Sequence, residues 1–235
     1  MGPATHKKMR IQALVCKELL DLARNRTALL PVVLVTIVTL ATAFGIAIVL
    51  PLMTGHPLSD DAELLSVSRL MGAHDDLSGD GRIELFFFQQ FLMLFLVIPV
   101  TGAMALAAHS VVGEKQSRTL EPLLATPITT IELLVAKVLG ALLPTLAVSL
   151  GGLLVYFAGI ALLAEPGVLG AMASARTAAL VLIVAPASAL VSLQSAIVIS
   201  SRVNDARTAQ QFGVMIIIPL SALLVAQFKI GRAHV

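Results

Sequence analysis

Charged residues are scarce in this chain of 235 residues: Asp, Glu, Lys and Arg make up 13% of it, and 57% is hydrophobic. Soluble globular domains of ordinary composition carry about 25% charged residues. The shortage therefore excludes a soluble domain and predicts an integral membrane protein. Its apolar residues gather in runs of about 20, the length that a helix needs to cross a bilayer, so the predicted fold is all-α.

Cysteine is rare in this chain, and a nucleotide-binding signature is missing. The single cysteine, Cys16, excludes an intramolecular disulfide and a cysteine-based metal cluster. No G-x-x-x-x-G-K-[ST] phosphate loop occurs, so ATP hydrolysis by this chain is not expected. No internal repeat or low-complexity linker divides the apolar blocks, which predicts one membrane domain over residues 29–229.

Five apolar runs predict membrane spans, and the first is expected to end at Pro51 and Gly55. The predicted spans cover residues 29–50, 85–111, 138–163, 177–200 and 212–228. Their central thirds contain no Asp, Glu, Lys or Arg. Ion-driven transport and intramembrane proteolysis both depend on polar groups at that depth, so the sequence disfavours both.

The first 28 residues predict a basic amphipathic elbow helix. Apolar residues recur in it at helical spacing between basic ones, a pattern typical of a helix that lies on an anionic membrane surface. The basic residues are Lys7, Lys8, Arg10, Lys17, Arg24 and Arg26.

Residues 52–84 form a polar loop with the opposite charge. Its acidic residues are Asp60, Asp61, Glu63, Asp75, Asp76, Asp80 and Glu84. Since lysine and arginine remain on the cytoplasmic side, the N-terminus is predicted inside and this loop outside. The stretch DDLSGDG at 75–81 places carboxylates on a tight turn, as calcium sites do, but it lacks EF-hand spacing. A solvated acidic loop without a metal is therefore predicted, and calcium binding is the alternative.

The central segment, residues 113–137, is a long polar interruption that carries ordered local signals. Thr119 and Pro122 predict the start of a short amphipathic helix that Pro127 ends. An ordinary cytoplasmic loop with a solvated charged face is the alternative that the pattern leaves open.

A second helix is predicted to begin near the end of this segment. Thr129 or Thr130 can cap it, and Glu132 places an acid in its first turn. Lys137 marks the point where the helix leaves the polar zone. The whole segment is thus predicted as helix, break and new helix at a membrane surface.

Residues 114–128, EKQSRTLEPLLATPI, together with Glu132 and Lys137, resemble the signature of ABC type-2 transporter permeases. In that family an acid-base pair is followed by Thr-Leu-Glu-x-Leu-Leu-x-Ser/Thr-Pro, then Glu and Gly-Lys. Ala136 stands where the family has glycine, and Pro122 follows the motif glutamate. The Lys17-Glu18 pair and the Arg24-x-Arg26 patch also resemble the elbow helix of such permeases, which braces the same interface.

The resemblance implies the membrane subunit of an exporter in the cytoplasmic membrane of a prokaryote. A separate ABC ATPase subunit would bind ATP and magnesium, this chain would bind no cofactor, and two permease copies or paralogues would pair in the lipid bilayer. No nucleic-acid partner is expected. The residues that the resemblance assigns to ATPase coupling are Glu114, Arg118, Thr119, Leu120, Glu121, Leu123, Leu124, Thr126, Pro127, Glu132 and Lys137.

The number of spans departs from the family pattern, which has six spans with both termini inside. Residues 230–235, IGRAHV, can be encoded by a common sequencing-adapter sequence. The expectation is therefore that these residues are not native and that a sixth span is missing. A secondary transporter and a membrane scaffold or sensor without transport activity remain alternatives, and the sequence names no substrate.

Overall fold

The computed structural model describes residues 3–24, 26–71, 76–116, 118 and 128–202. These ranges are helical apart from short turns, and they contain no strand. Four helical stretches are long and apolar enough to cross a membrane, namely Leu29–Thr54, Gly79–Gln116, Thr130–Leu163 and Ala175–Arg202. The described residues agree with the all-α prediction, and each of the four stretches overlaps one of the first four predicted spans. The predicted span 212–228 and the tail 230–235 lie outside the described residues.

The described residues form nine α-helices, with π-helical and 3₁₀ turns between some of them. The α-helices are α1 Pro3–Arg24, α2 Arg26–Phe44, α3 Leu50–Thr54, α4 Ala62–Met71, α5 Gly79–Gln116, α6 Thr130–Leu163, α7 Val168–Met172, α8 Ala175–Ala179 and α9 Ala185–Arg202. A π-helical turn, Gly45–Val49, joins α2 to α3, and another, Leu180–Val184, joins α8 to α9. A short 3₁₀ turn covers Leu58–Asp60.

The first span ends at Gly55 and not at Pro51. Gly55 has φ +69°, the left-handed conformation that commonly ends a helix, and its N–H donates to the Pro51 carbonyl. Pro51 lies inside the continuous helical stretch Leu29–Thr54, in the part that follows the π-helical turn. Of the two residues that were predicted to end the span, Gly55 ends the helix and Pro51 does not.

The predicted outer loop, residues 52–84, contains more structure than a solvated loop. It includes α4, and α5 already begins at Gly79. The Asp80 carboxylate accepts a hydrogen bond from the Ser59 N–H at 2.7 Å. Glu84, which is buried, accepts one from the Glu165 N–H at 2.8 Å. These two acids thus satisfy backbone donors of neighbouring turns, whereas the sequence predicted a solvated loop around Asp80.

The described helices belong to two compact units. One comprises residues 30–99 and 145–187. Its core surrounds Tyr156, which is fully buried and has ring centroids of Phe44, Phe88 and Phe95 within 5.9 Å. The Tyr156 hydroxyl donates to the Phe88 carbonyl, so the one polar atom of this side chain is satisfied.

The other unit comprises residues 1–29, 100–144 and 188–235. Small side chains dominate its described core, with Ala103, Ala108, Ala189 and Ala196 almost completely buried. Such residues let helix backbones approach closely. This unit contains α1 and both described ends of the central segment, and it therefore holds the candidate site.

Candidate functional site

One carboxylate connects the two described ends of the central segment to the elbow helix α1. Glu114 lies near the end of α5, before the undescribed residues 119–127, and Lys137 lies in α6, after them. Lys17 Nζ of α1 is 2.7 Å from Glu114 Oε1, and Lys137 Nζ is 2.7 Å from Glu114 Oε2. Three helices are thus held at one point.

Two further side chains complete a closed network. Lys137 Nζ lies 3.3 Å from Glu18 Oε1 and donates to Ser110 Oγ at 2.9 Å. Ser110 Oγ in turn donates to Glu18 Oε2 at 2.8 Å. We call Lys17, Glu18, Ser110, Glu114 and Lys137 the ion cluster. Both carboxylates and both ammonium groups in it have partners of opposite charge.

Burial makes this cluster more than a surface ion pair. Lys137 is 5% exposed and Glu114 is 9% exposed. Removing one member of a buried pair leaves an uncompensated charge, which costs about 3–5 kcal/mol. The pairing therefore fixes how α1, α5 and α6 meet.

Lys17 is the more accessible cation of the cluster, with 40% of its side chain exposed. Burial by itself would lower the pKa of this ammonium, but the hydrogen bond and charge of Glu114, together with Glu18 and Asp21, raise the pKa above its usual 10.5. A raised lysine pKa means that the stabilising charge is fully present at neutral pH. It is lost only as the pH rises above 10.5 and through the folded-state pKa.

A glycine lets α1 come close enough to α6 for the cluster to form. A Cβ added at Gly140 would lie 2.5 Å from the Glu18 Cβ. No side chain fits at this position without moving Glu18, whose carboxylate binds Lys137. Gly140 therefore determines the distance between the two helices where the charges meet.

The start of α6 is fixed by a reciprocal cap. The Glu132 N–H donates to Thr129 Oγ1 at 3.3 Å, and the Thr129 N–H donates to Glu132 Oε2 at 2.9 Å. This arrangement satisfies two backbone donors that a helix start would otherwise leave without partners. It confirms Thr129 as the cap, and it gives the buried Glu132 carboxylate a structural role.

The end of α5 makes a second connection, to α9. Lys115 Nζ donates to the carbonyl oxygens of Ser200 at 3.1 Å and Ser201 at 2.6 Å. Arg118 follows in the left-handed conformation, φ 55°, and its N–H donates to the Lys115 carbonyl at 3.2 Å. A left-handed residue after the last turn commonly ends a helix.

The structure brings some of the predicted site residues together. Glu114 and Lys137 meet in the ion cluster, Glu132 caps α6, and Arg118 is exposed at the end of α5. The remaining predicted site residues lie outside the described residues, namely Thr119, Leu120, Glu121, Leu123, Leu124, Thr126 and Pro127.

Sequence reasoning missed five residues of this region: Ser110, Lys115, Gly140, Ser200 and Ser201. Ser110 looks like an ordinary small residue inside a span, and a hydrogen bond to a distant helix leaves no periodic signal in the sequence. Lys115 belongs to the family motif, but its spacing does not reveal that it contacts α9. The Lys17-Glu18 pair was indicated by the resemblance, and the structure shows the contact that this pair makes with Glu114 and Lys137.

The four apolar helices, with a buried ion cluster at the ends of the central segment, define a multi-pass helical membrane protein. A family model described as ABC-2 family transporter protein matches residues 12–229. The chain therefore belongs to the ABC-2 transporter family and is a membrane component of such a transporter. Members are transmembrane subunits, typically without catalytic activity, and the family implies association with an ATPase subunit. Comparisons with curated proteins and with solved structures gave no significant match.

Proposed function

We propose that this chain is the permease subunit of an ABC exporter, which moves a substrate out across the cytoplasmic membrane with energy from a separate ATPase subunit. The observation that carries the proposal is the Glu114 carboxylate, which lies before residues 119–127 and binds Lys137 after them, as well as Lys17 of the elbow helix. Both ends of the segment that resembles the family signature are anchored to the same point and to the elbow helix.

This anchoring supports a role in transmitting force. If the ATPase binds residues 119–125, a displacement of that part cannot be absorbed by separation of its two ends, because the ion cluster joins them. The displacement would instead move α5 and α6, which are spans. Leu120, Leu123 and Leu124 are the proposed apolar contacts with the ATPase.

The structure changes which polar residues we assign to that contact. The Glu114 carboxylate binds two lysines, and Glu132 caps α6. Both glutamates are therefore assigned to the support of residues 119–125 and not to the contact with the ATPase. Arg118, which is exposed, and Glu121 remain as the proposed polar partners of the ATPase.

The proposal includes an orientation and an assembly. The basic elbow helix and the central segment face the cytoplasm, while the acidic residues 52–84 face outside. ATP and magnesium bind the ATPase, and two permease copies or paralogues enclose the path. Opening and closing of the ATPase dimer would then alternate access to it.

Co-purification tests the proposal. The native chain is expected to co-purify with the ATPase encoded beside it, and the double change Leu123→Asp, Leu124→Asp is expected to release the ATPase, since charge in a buried contact is costly. The matched control is Ala62→Asp, Ser66→Asp, which adds the same charge at exposed positions of α4 and is expected to leave binding intact. Failure of the native chain to bind any ATPase would contradict the proposal and favour a secondary transporter or a scaffold.

A further inference from the structure

We propose that Lys115 is a positioning residue that ties the central segment to the fourth span, Ala175–Arg202, so that ATP-linked movement at the segment reaches this span. The inference rests on the proposed function and extends it to a residue outside the predicted coupling set. It is carried by the two hydrogen bonds from Lys115 Nζ to α9.

The contact joins a cation to two main-chain carbonyl oxygens of α9. Ser200 and Ser201 lie in the last described turn of this helix. A carbonyl oxygen has two lone pairs, so each can accept from Lys115 whether or not it also bonds within its own helix. Ser200 is fully buried, which places the contact against packed protein.

Two adjacent residues of α5, Glu114 and Lys115, contact different helices. Successive residues of an α-helix point about 100° apart, since 3.6 residues complete a turn. Glu114 accordingly contacts α1 and α6, while Lys115 contacts α9. Lys115 thus connects the central segment to α9, in addition to the connections that the ion cluster makes to α1 and α6.

The Lys115 backbone also makes a contact at the end of α5. Its carbonyl accepts from the Arg118 N–H where the chain leaves α5, so the main chain and the side chain of Lys115 both connect elements at the end of this helix. A displacement of the following residues would therefore pull directly on the residue that holds α9.

A purely structural role would be a contact between helices that adds stability in every state of the transporter. A positioning role predicts something else, namely that removing the charge uncouples α9 from the ATPase cycle while the protein remains folded. The position of α9 in the nucleotide-free and ATP-bound complexes distinguishes the two roles.

The experiment uses the permease with its ATPase in lipid nanodiscs. Cys16→Ser removes the native thiol, and Arg202→Cys, at the exposed end of α9, carries a nitroxide label. Spectra are recorded without nucleotide and with ATP and orthovanadate. In the labelled parent protein the label mobility is expected to change between the two conditions.

Lys115→Gln is expected to lose this ATP-dependent change while ATPase co-purification persists. Lys115→Met also removes the charge but keeps an apolar side chain of similar length. It replaces Lys115→Gln in the experiment if the glutamine variant does not fold. Lys115→Arg is expected to restore the change, because a guanidinium can donate to both carbonyls. Arg176→Gln, which removes an exposed cation at the other end of the same span, is the control and is expected to match the parent.

A parent-like mobility change in the folded Lys115→Gln or Lys115→Met variant overturns the inference, as does the absence of any change in the parent complex that binds ATPase. Loss of the change without rescue by Lys115→Arg also overturns it. Absence of ATPase from the parent preparation overturns the proposed function itself, and this outcome is visible before any spectrum is recorded.

Discussion

Glu114 Oε2 and Lys137 Nζ lie 2.7 Å apart although the undescribed residues 119–127 separate them in sequence. The same carboxylate binds Lys17 through its other oxygen. A segment closed at its base in this way can pass a force to its flanking helices, because its ends do not move apart independently.

Glu114 and Lys137 are expected to be energetically coupled. Glu114→Gln removes the charge that two lysines share and should lower the free energy of unfolding by about 3 kcal/mol. Lys137→Met should also destabilise, and the double variant should lose less than the sum of the two, with a coupling of about 1–3 kcal/mol. Equilibrium unfolding in mixed micelles measures all three. Strictly additive losses would show that the pair contributes no interaction energy.

Two glycines of α6 provide a matched test of the approach of α1. Gly140→Ala should destabilise by about 1–3 kcal/mol, since its Cβ would overlap Glu18. Gly151→Ala meets no atom within 4 Å and should be neutral, or stabilising by up to about 1 kcal/mol from helix propensity. Thermal unfolding in detergent compares the two. Equal effects would argue against close packing of α1 at Gly140.

Tyr156 is expected to contribute mainly through its ring. Tyr156→Phe loses one hydrogen bond to the Phe88 carbonyl and should cost about 1 kcal/mol. Tyr156→Ala leaves a cavity among Phe44, Phe88 and Phe95 and should cost about 3–5 kcal/mol. Both changes in the free energy of unfolding can be measured by using circular dichroism to monitor the loss of helix during unfolding. A larger loss for phenylalanine than for alanine would contradict this packing.

The single cysteine offers a direct test of orientation. Cys16 is exposed on α1, and a membrane-impermeant maleimide should label it only after the cells are made permeable. In a Cys16→Ser background, Ser66→Cys on α4 should be labelled in intact cells, because α4 is proposed to face outside. The reverse pattern would invert the proposed topology.

The sequence predicted the spans because long apolar runs determine helices in a bilayer almost without regard to neighbours. It located Glu114 and Lys137 as important only through the family resemblance, since their pairing depends on how α5 and α6 pack. The burial of Glu84 could not be predicted for the same reason: its partner, the Glu165 N–H, belongs to a distant turn.

The ends of helices were the least accurate part of the prediction. The second predicted span begins at residue 85, whereas α5 begins at Gly79. Backbone hydrogen bonds continue past the apolar run, and charged residues are accommodated in the extra turns. The Thr129 cap was found because its chemistry is local, involving Glu132 only three residues further on.

Photo-crosslinking from the central segment tests the central claim most directly. A photoreactive phenylalanine analogue replaces Leu124 of the permease in cells that express the ATPase. In the control variant of the permease, the same analogue replaces Ser66, an exposed residue of α4. A covalent adduct between the permease and the ATPase is expected from position 124, and none is expected from position 66. An adduct from position 66 alone, or none from position 124 in a complex that retains the ATPase, would contradict the assignment of residues 119–125 to the ATPase contact.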